Sequence, residues 1–236
     1  NEAVTAKEKL GTQAIIGILG GLRFVVAFIF SLEAINHWEN QEWEMLAQKR
    51  RVVNLLSPRD STQWRDSAWH LAYNASAWYE ISDKENPEAV RRVLRWQYIQ
   101  RGKEILKEAI QWNPDDARLY RDLANIYRDK ERTKVCEISD LYLKASECSN
   151  SFPFMYRFHV YYLANCEGRE KEAYEKHMDL YEEGRKHLIE KGVMTWKPTL
   201  IVQIGELEQK LGIPESDRIP ERFDKQSFRI ITPIRP

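Results

Sequence analysis

The chain has 236 residues, with 36 Lys+Arg balanced by 36 Asp+Glu and a formal net charge of zero. That balance argues against a general nucleic-acid binder, which is usually basic. Eight Trp and eleven Tyr against only ten Gly suit packed helices better than disorder or a β-sandwich, and no long Val/Ile/Thr alternation supports strands.

The sequence opens on Asn1 rather than Met, so the expectation is a truncated or processed chain whose signal or anchor lies upstream. Residues 13–35 read QAIIGILGGLRFVVAFIFSLEAI, and from Ala14 to Ser31 the single charge is Arg23. Two readings compete. As a membrane span, eleven Ile, Leu, Val and Phe residues contribute about −3 to −7 kcal/mol against roughly +3 for a central Arg, a marginal balance that Gly17, Gly20 and Gly21 weaken further. As a buried helix, the segment turns at Glu39–Glu42 and pairs with Glu44–Leu56 through Leu46, Val52, Val53 and Leu56. Lys7 and Lys9 before the stretch, with Glu39, Glu42 and Glu44 after it, favour an extracytoplasmic location for the bulk of the chain.

Self-comparison reveals a repeat. Pro58 is followed six residues on by Trp64-Arg65-Asp66-Ser67-Ala68, and Pro114 six residues on by Tyr120-Arg121-Asp122-Leu123-Ala124. A partial third copy has Pro153 just ahead of Tyr156-Arg157. In the central copy, a helix ending in Ala109, Ile110 and Trp112 is stopped by Asn113-Pro114-Asp115-Asp116, and a second helix starts at Ala117. The longer spacing between the first two copies predicts an insert near Tyr79–Glu88, with Ser82–Asn86 as a loop and Pro87 starting the next helix.

These residues resemble the tetratricopeptide repeat (TPR). The aromatics Trp64, Tyr120 and Tyr156 fall at the family's large position, Ala68 and Ala124 at a small one, and Gly102 and Ala109 precede Pro114 where close helix approach requires small side chains. The resemblance covers about residues 40 to 190, and Val160 departs from the small-residue rule. More narrowly, GGLR at 20–23, HLAYN at 70–74 and RWQYIQRG…NPDDARLYRDL resemble bacterial membrane-anchored TPR proteins of unestablished function. The resemblance implies an all-α, TPR-like helical-hairpin solenoid of three to four repeats. The repeats then occupy 40–190, and the residues outside them read as an N-terminal apolar helix at 1–39 (membrane anchor or first repeat helix), a capping helix at 191–213 and an extended tail at 214–236. It further implies a concave groove lined by Arg65, Trp69, Arg118, Arg121, Asn125, Arg128, Arg157 and Tyr161. Guanidinium forks with aromatic neighbours suit an acidic or C-terminal peptide segment of a protein partner. The alternative is that each Arg pairs with a following Asp (Asp66, Asp122) and only stabilises the array.

Towards the C-terminus, Arg169–Ile189 reads as a surface helix with one apolar stripe. Lys197-Pro198-Thr199 starts a further helix whose inner face is Ile204, Leu207 and Leu211, and which Gly212 and Pro214 end. Cys136, Cys148 and Cys166 include no CxxC. They read as buried free thiols, or as a Cys148–Cys166 bridge if the chain is exported. The five histidines form no metal motif, and no Walker A, GxGxxG or GxSxG pattern is present. The expectation is a non-enzymatic interaction scaffold without cofactor or metal, an accessory subunit at a bacterial inner membrane. The alternative is a structural membrane subunit whose 13–35 helix packs in the bilayer.

Overall fold

A computed structural model describes residues 20–231. They are mostly helical, in agreement with the all-α expectation, and divide into one unit ending at Ile126 and another beginning at Tyr127.

The first unit opens with α1 (Leu22–Glu39) and α2 (Trp43–Leu56). Gln41 adopts a left-handed backbone (φ 61°) between them, and the Glu42 N–H donates to the His37 carbonyl at 2.8 Å, closing a tight hairpin. Ala34 is fully buried against Trp43 and Leu46, a small residue where the two helices approach, and Glu33 pairs with Lys49 at 2.7 Å. The described part of the 13–35 stretch is therefore the first helix of a hairpin. Residues 13–19 lie outside the described residues. No helix among the described residues is long and apolar enough to cross a membrane.

The second hairpin begins with α3 (Ser61–Trp69), capped by the Asp60 carboxylate accepting from the Thr62 N–H at 3.0 Å. It runs on through π-helical turns at His70–Ala75 and Trp78–Ser82. After a short loop comes α4 (Glu88–Trp112), 25 residues long, with Pro87 at its N-cap as expected. The Asp83 carboxylate holds that loop by accepting the Glu85 and Asn86 N–H groups. The extra length between the first two sequence copies is thus mostly helix, not the loop insert expected near Tyr79–Glu88. α5 (Ala117–Ile126) follows, with the Arg118 N–H donating to Asp116 at 3.1 Å.

The two sequence copies share a local geometry. The Trp64 indole donates to the Pro58 carbonyl at 3.1 Å, and the Tyr120 hydroxyl to the Pro114 carbonyl at 3.0 Å. Each aromatic thereby satisfies a carbonyl exposed at the turn, which is why Pro and an aromatic six residues later recur together. Gly102 sits where the sequence requires a small residue. A Cβ there would stand 2.6 Å from the Ala72 Cβ and 2.9 Å from the Ala68 carbonyl oxygen.

The second unit starts with a π-helical turn at Tyr127–Glu131, followed by α6 (Val135–Glu147), α7 (Pro153–Leu163), α8 (Glu170–Lys191) and α9 (Pro198–Lys210). α6 packs on α7, α7 on α8, and α8 on α9. Ile204 and Leu207 lie on the inner face of α9 as expected, joined by Leu200 and Ile201. Gly184 on α8 makes room for Trp196, whose indole donates to the Tyr181 carbonyl at 2.9 Å beneath the stacked Tyr181 ring.

Two expectations are corrected in this unit. In place of buried free thiols, or of a Cys148–Cys166 bridge, Cys166 is bridged to Cys136 and Cys148 lies outside the bridge. The bridge fastens α6 to the turn after α7, where the two Cα atoms stand 5.3 Å apart. The tail is also not simply extended. Arg222–Asp224 (β1) and Arg229–Ile231 (β2) form an antiparallel hairpin packed on α9, with Phe223 opposite Ile230. Asp224 accepts from the Gln226 and Ser227 N–H groups to make its turn. Ile219 is buried with Tyr181, Trp196 and Leu200, so the segment lies on the helices.

Candidate functional site

The first unit holds five of the sequence-derived groove residues. The aligned arginines Arg65 and Arg121 meet on one carboxylate. Arg65 Nε donates to Asp122 Oδ2 at 2.5 Å, and Arg121 Nε to Asp122 Oδ1 at 2.9 Å. Arg118 forms a two-pronged pair with Asp116 (2.9 and 2.7 Å), which holds its pKa above the ordinary arginine value, and it also reaches Ser61 Oγ at 3.1 Å. Asn125 is half-buried. Trp69 is half-exposed and packs edge-on against His70 at 5.4 Å. The Arg65 and Arg121 forks are therefore occupied by the chain's own Asp122, and an incoming carboxylate would have to displace it.

This pairing belongs to a wider register. Arg51 of α2 pairs with Glu108 of α4, and Glu44 of α2 with Arg101 of α4 at 2.6 Å. Arg65 of α3 pairs with Asp122 of α5, and each of these contacts spans 57 residues. Equivalent helices of successive hairpins are tied by equivalent ion pairs, so the sequence repeat that aligns the arginines also aligns their partners.

In the second unit, Arg128 pairs with Asp129 at 2.7 Å, which keeps its pKa above the ordinary value. Arg157 and Tyr161 lie one turn apart on α7, both half-buried. Burial raises the Tyr161 pKa, and the Arg157 charge opposes it. Arg157 has no hydrogen bond or ion pair among the described residues, unlike Arg65 and Arg121.

The buried histidines serve packing. His159 Nδ1 lies 2.9 Å from Ser139 Oγ, and His177 donates from Nδ1 to the Ala173 carbonyl at 2.7 Å. Burial lowers the pKa of both. His70 is pushed down to about 4 by burial first and then by the Arg50 charge, and the Asn74 amide donates to its Nδ1. Among the described residues no His, Cys, Asp and Glu group could hold a metal ion.

A cavity of about 470 Å³ opens between α2 and α4, with Ala47, Leu71 and Ile105 as apolar wall and Arg51, Gln48 and Arg101 at its rim. Asn54 is buried at its base and accepts from the Ser67 hydroxyl at 3.1 Å.

The most unusual surface lies on α1, where sequence reasoning saw an apolar run but not a face. Ala27 and Ala34 turn inward, while Leu22, Phe24, Val25, Phe28, Ile29, Leu32 and Ile35 are about half exposed or more, reaching 65% at Leu22. Trp38 continues the stripe and meets His70 edge-on at 5.8 Å. The helix therefore buries its small side and presents its large one, the reverse of a water-soluble amphipathic helix. The signal was available in Ala27 and Ala34, which share the inward face by their seven-residue spacing.

No family model matches the chain, and no match is found among curated proteins or among solved structures.

Proposed function

We propose that the chain is a non-catalytic protein–protein interaction scaffold, a TPR-like hairpin array acting as an accessory subunit of a membrane or membrane protein complex. The observation that carries this reading is the uncovered apolar face of α1. A contiguous patch of large apolar side chains costs solubility unless something covers it, and such patches mark protein or membrane contacts. With Arg65, Arg118 and Arg121 engaged internally, the α1 face is the primary docking surface. Arg157 with Tyr161 is the position at which an acidic segment of a partner would add a contact. The Cys136–Cys166 bridge supports an oxidising, extracytoplasmic setting, since reducing compartments keep such thiols free.

A second reading is a structural membrane subunit whose 13–35 segment packs in the bilayer against partner subunits. Ser31 favours it: its hydroxyl donates to the Ala27 carbonyl at 2.9 Å, leaving no unmet donor in an apolar surround.

The test is affinity capture of the tagged chain from native membranes, beside a Phe28→Asp/Leu32→Asp variant. Co-purifying chains are expected to be lost from the variant while the far-UV circular dichroism is unchanged; an identical set from both overturns the docking role of α1. Carbonate treatment separates the two readings, because a chain packed in the bilayer resists extraction and a peripheral one is released.

A further inference from the structure

We infer that the α1 face binds a second copy of this chain, the two α1 helices running antiparallel about a two-fold axis near Ser31. This rests on the docking role proposed for α1 and names the partner.

The spacing on α1 comes first. Phe24, Phe28, Ser31, Ile35 and Trp38 follow one another at intervals of four, three, four and three, the seam period with which one helix packs against another. A lipid surface imposes no such period.

Area comes second. At about half to two-thirds exposure each, the large residues of α1 present on the order of 700 Å² of apolar surface, more than the roughly 300–600 Å² of the largest patch on an ordinary monomer. The same figure is close to the roughly 800 Å² that each partner contributes to a stable interface.

Charge decides the orientation. Arg23 stands at the N-terminal end of α1, with its guanidinium drawn over the Phe24 ring at 4.6 Å from the centroid. Glu39 stands exposed at the other end, in line with the Phe28–Ile35 stripe. Antiparallel pairing brings each Arg23 to the partner's Glu39 end, so both ends match. Parallel pairing stacks like on like, a repulsive arrangement. The end of a helix pair leaves the Glu39 carboxylate beside water and an opposite charge. A two-fold contact of this kind uses the same patch on both copies and closes on itself, so it makes a dimer and not a fibre.

The experiment uses the full chain in a Cys148→Ser background, which removes the cysteine outside the Cys136–Cys166 bridge. Sedimentation equilibrium and light scattering should give twice the 28.0 kDa of one chain. Phe28→Asp should give a monomer with unchanged helical circular dichroism. Should that variant misfold, charge exchange supplies a second readout. Arg23→Glu alone and Glu39→Arg alone should each weaken self-association by about fivefold, and the double reversal should restore it. Orientation is read with a short thiol–thiol crosslinker. Ser31→Cys should crosslink between copies, while Leu22→Cys should not, because two antiparallel helices crossing near Ser31 place those positions about 25 Å apart. A monomer at all accessible concentrations overturns the dimer, as does crosslinking of Leu22→Cys to itself. Conversion to a vesicle-bound monomer on phosphatidylcholine–phosphatidylglycerol vesicles overturns it in favour of lipid. Retained partner capture from native membranes by a monomeric wild-type chain would leave the docking role of α1 standing and this inference alone refuted.

Discussion

The same substitution at two glycines should have opposite signs, and the contrast measures how closely the second hairpin is packed. Gly102→Ala places a Cβ 2.6 Å from the Ala72 Cβ and 2.9 Å from the Ala68 carbonyl oxygen. Carbon atoms rest about 3.5–4.0 Å apart, so α4 must withdraw by about 1 Å from α3 and the π-helical turn beyond it. Neither obstacle is the end of a flexible side chain, and overpacking of this kind costs about 1–3 kcal/mol. Replacing glycine inside a helix returns about 1 kcal/mol, so the net loss is up to about 2 kcal/mol. Gly205 of α9 has nothing within 4 Å of an added Cβ. There the helix term acts alone, and Gly205→Ala should stabilise by about 1 kcal/mol. The assay is urea unfolding followed by circular dichroism at 222 nm. With a slope of about 2–3 kcal/mol per molar, Gly102→Ala should lower the midpoint by about 0.5 M, and Gly205→Ala should raise it by a similar or smaller amount. A Gly102→Ala chain as stable as Gly205→Ala would refute the close approach of α3 and α4.

Three other outcomes follow from the same geometry. The His70 pKa is lowered to about 4 by burial and by Arg50, so the unfolded chain takes up the proton first and stability falls as pH drops from about 6.5 towards 4. The loss should be on the order of 1–2 kcal/mol once solvent around the half-buried ring is allowed for, and His159 and His177 act in the same direction; a urea midpoint that stays flat between pH 7 and pH 5 would contradict it. Breaking the 30-residue loop with Cys136→Ser should cost the second unit about 3–4 kcal/mol. A non-reducing peptide map should recover Cys136 joined to Cys166 with Cys148 alkylated, and a Cys148-containing bridge would be the wrong result. Asp122→Ala leaves Arg65 and Arg121 half-buried without their carboxylate and should lower stability by about 1–3 kcal/mol. If those arginines instead belong to a ligand groove, the variant should gain affinity for an acidic peptide with little loss of stability, as isothermal titration would report.

The parts legible in the sequence are those whose cause is local. Pro58 with Trp64 and Pro114 with Tyr120 could be read because the turn and the aromatic that satisfies its carbonyl lie within six residues. Gly102 could be read because only a small residue permits the approach, whatever lies opposite. The Cys136–Cys166 pairing depends on where α6 and the end of α7 come to rest, which spacing does not encode. The β1–β2 hairpin has three-residue strands, too short for alternation to register, and its turn rests on one Asp carboxylate. The π-helical continuation of α3 is a backbone change without a residue signature, and it absorbs length that the repeat frame assigns to a loop. For the arginines, the sequence left open whether they face a partner or a carboxylate of the chain, and the placement of Asp122 beside Arg65 and Arg121 depends on how α3 and α5 come together.

That open question has a physical answer within the repeat itself. When a sequence recurs along a stacked array, every side chain that aligns with its own copy also aligns with the neighbours of that copy. An Arg at one position and an Asp at the next, repeated at a fixed interval, become a cross-hairpin pair: Arg65 to Asp122 between α3 and α5, and Arg51 to Glu108 between α2 and α4. Aligned charge is therefore better evidence for cohesion between these helices than for a groove. Missing cohesion is the more informative sign of a partner. α3 has α4 and α2 against it, and α4 has α3 and α5. α1 has α2 on its small, alanine-bearing side, and its large side faces solvent. A helix running the other way, with Glu39 opposite Arg23, would supply what the succeeding helices find within the chain, and a second copy of α1 has that character.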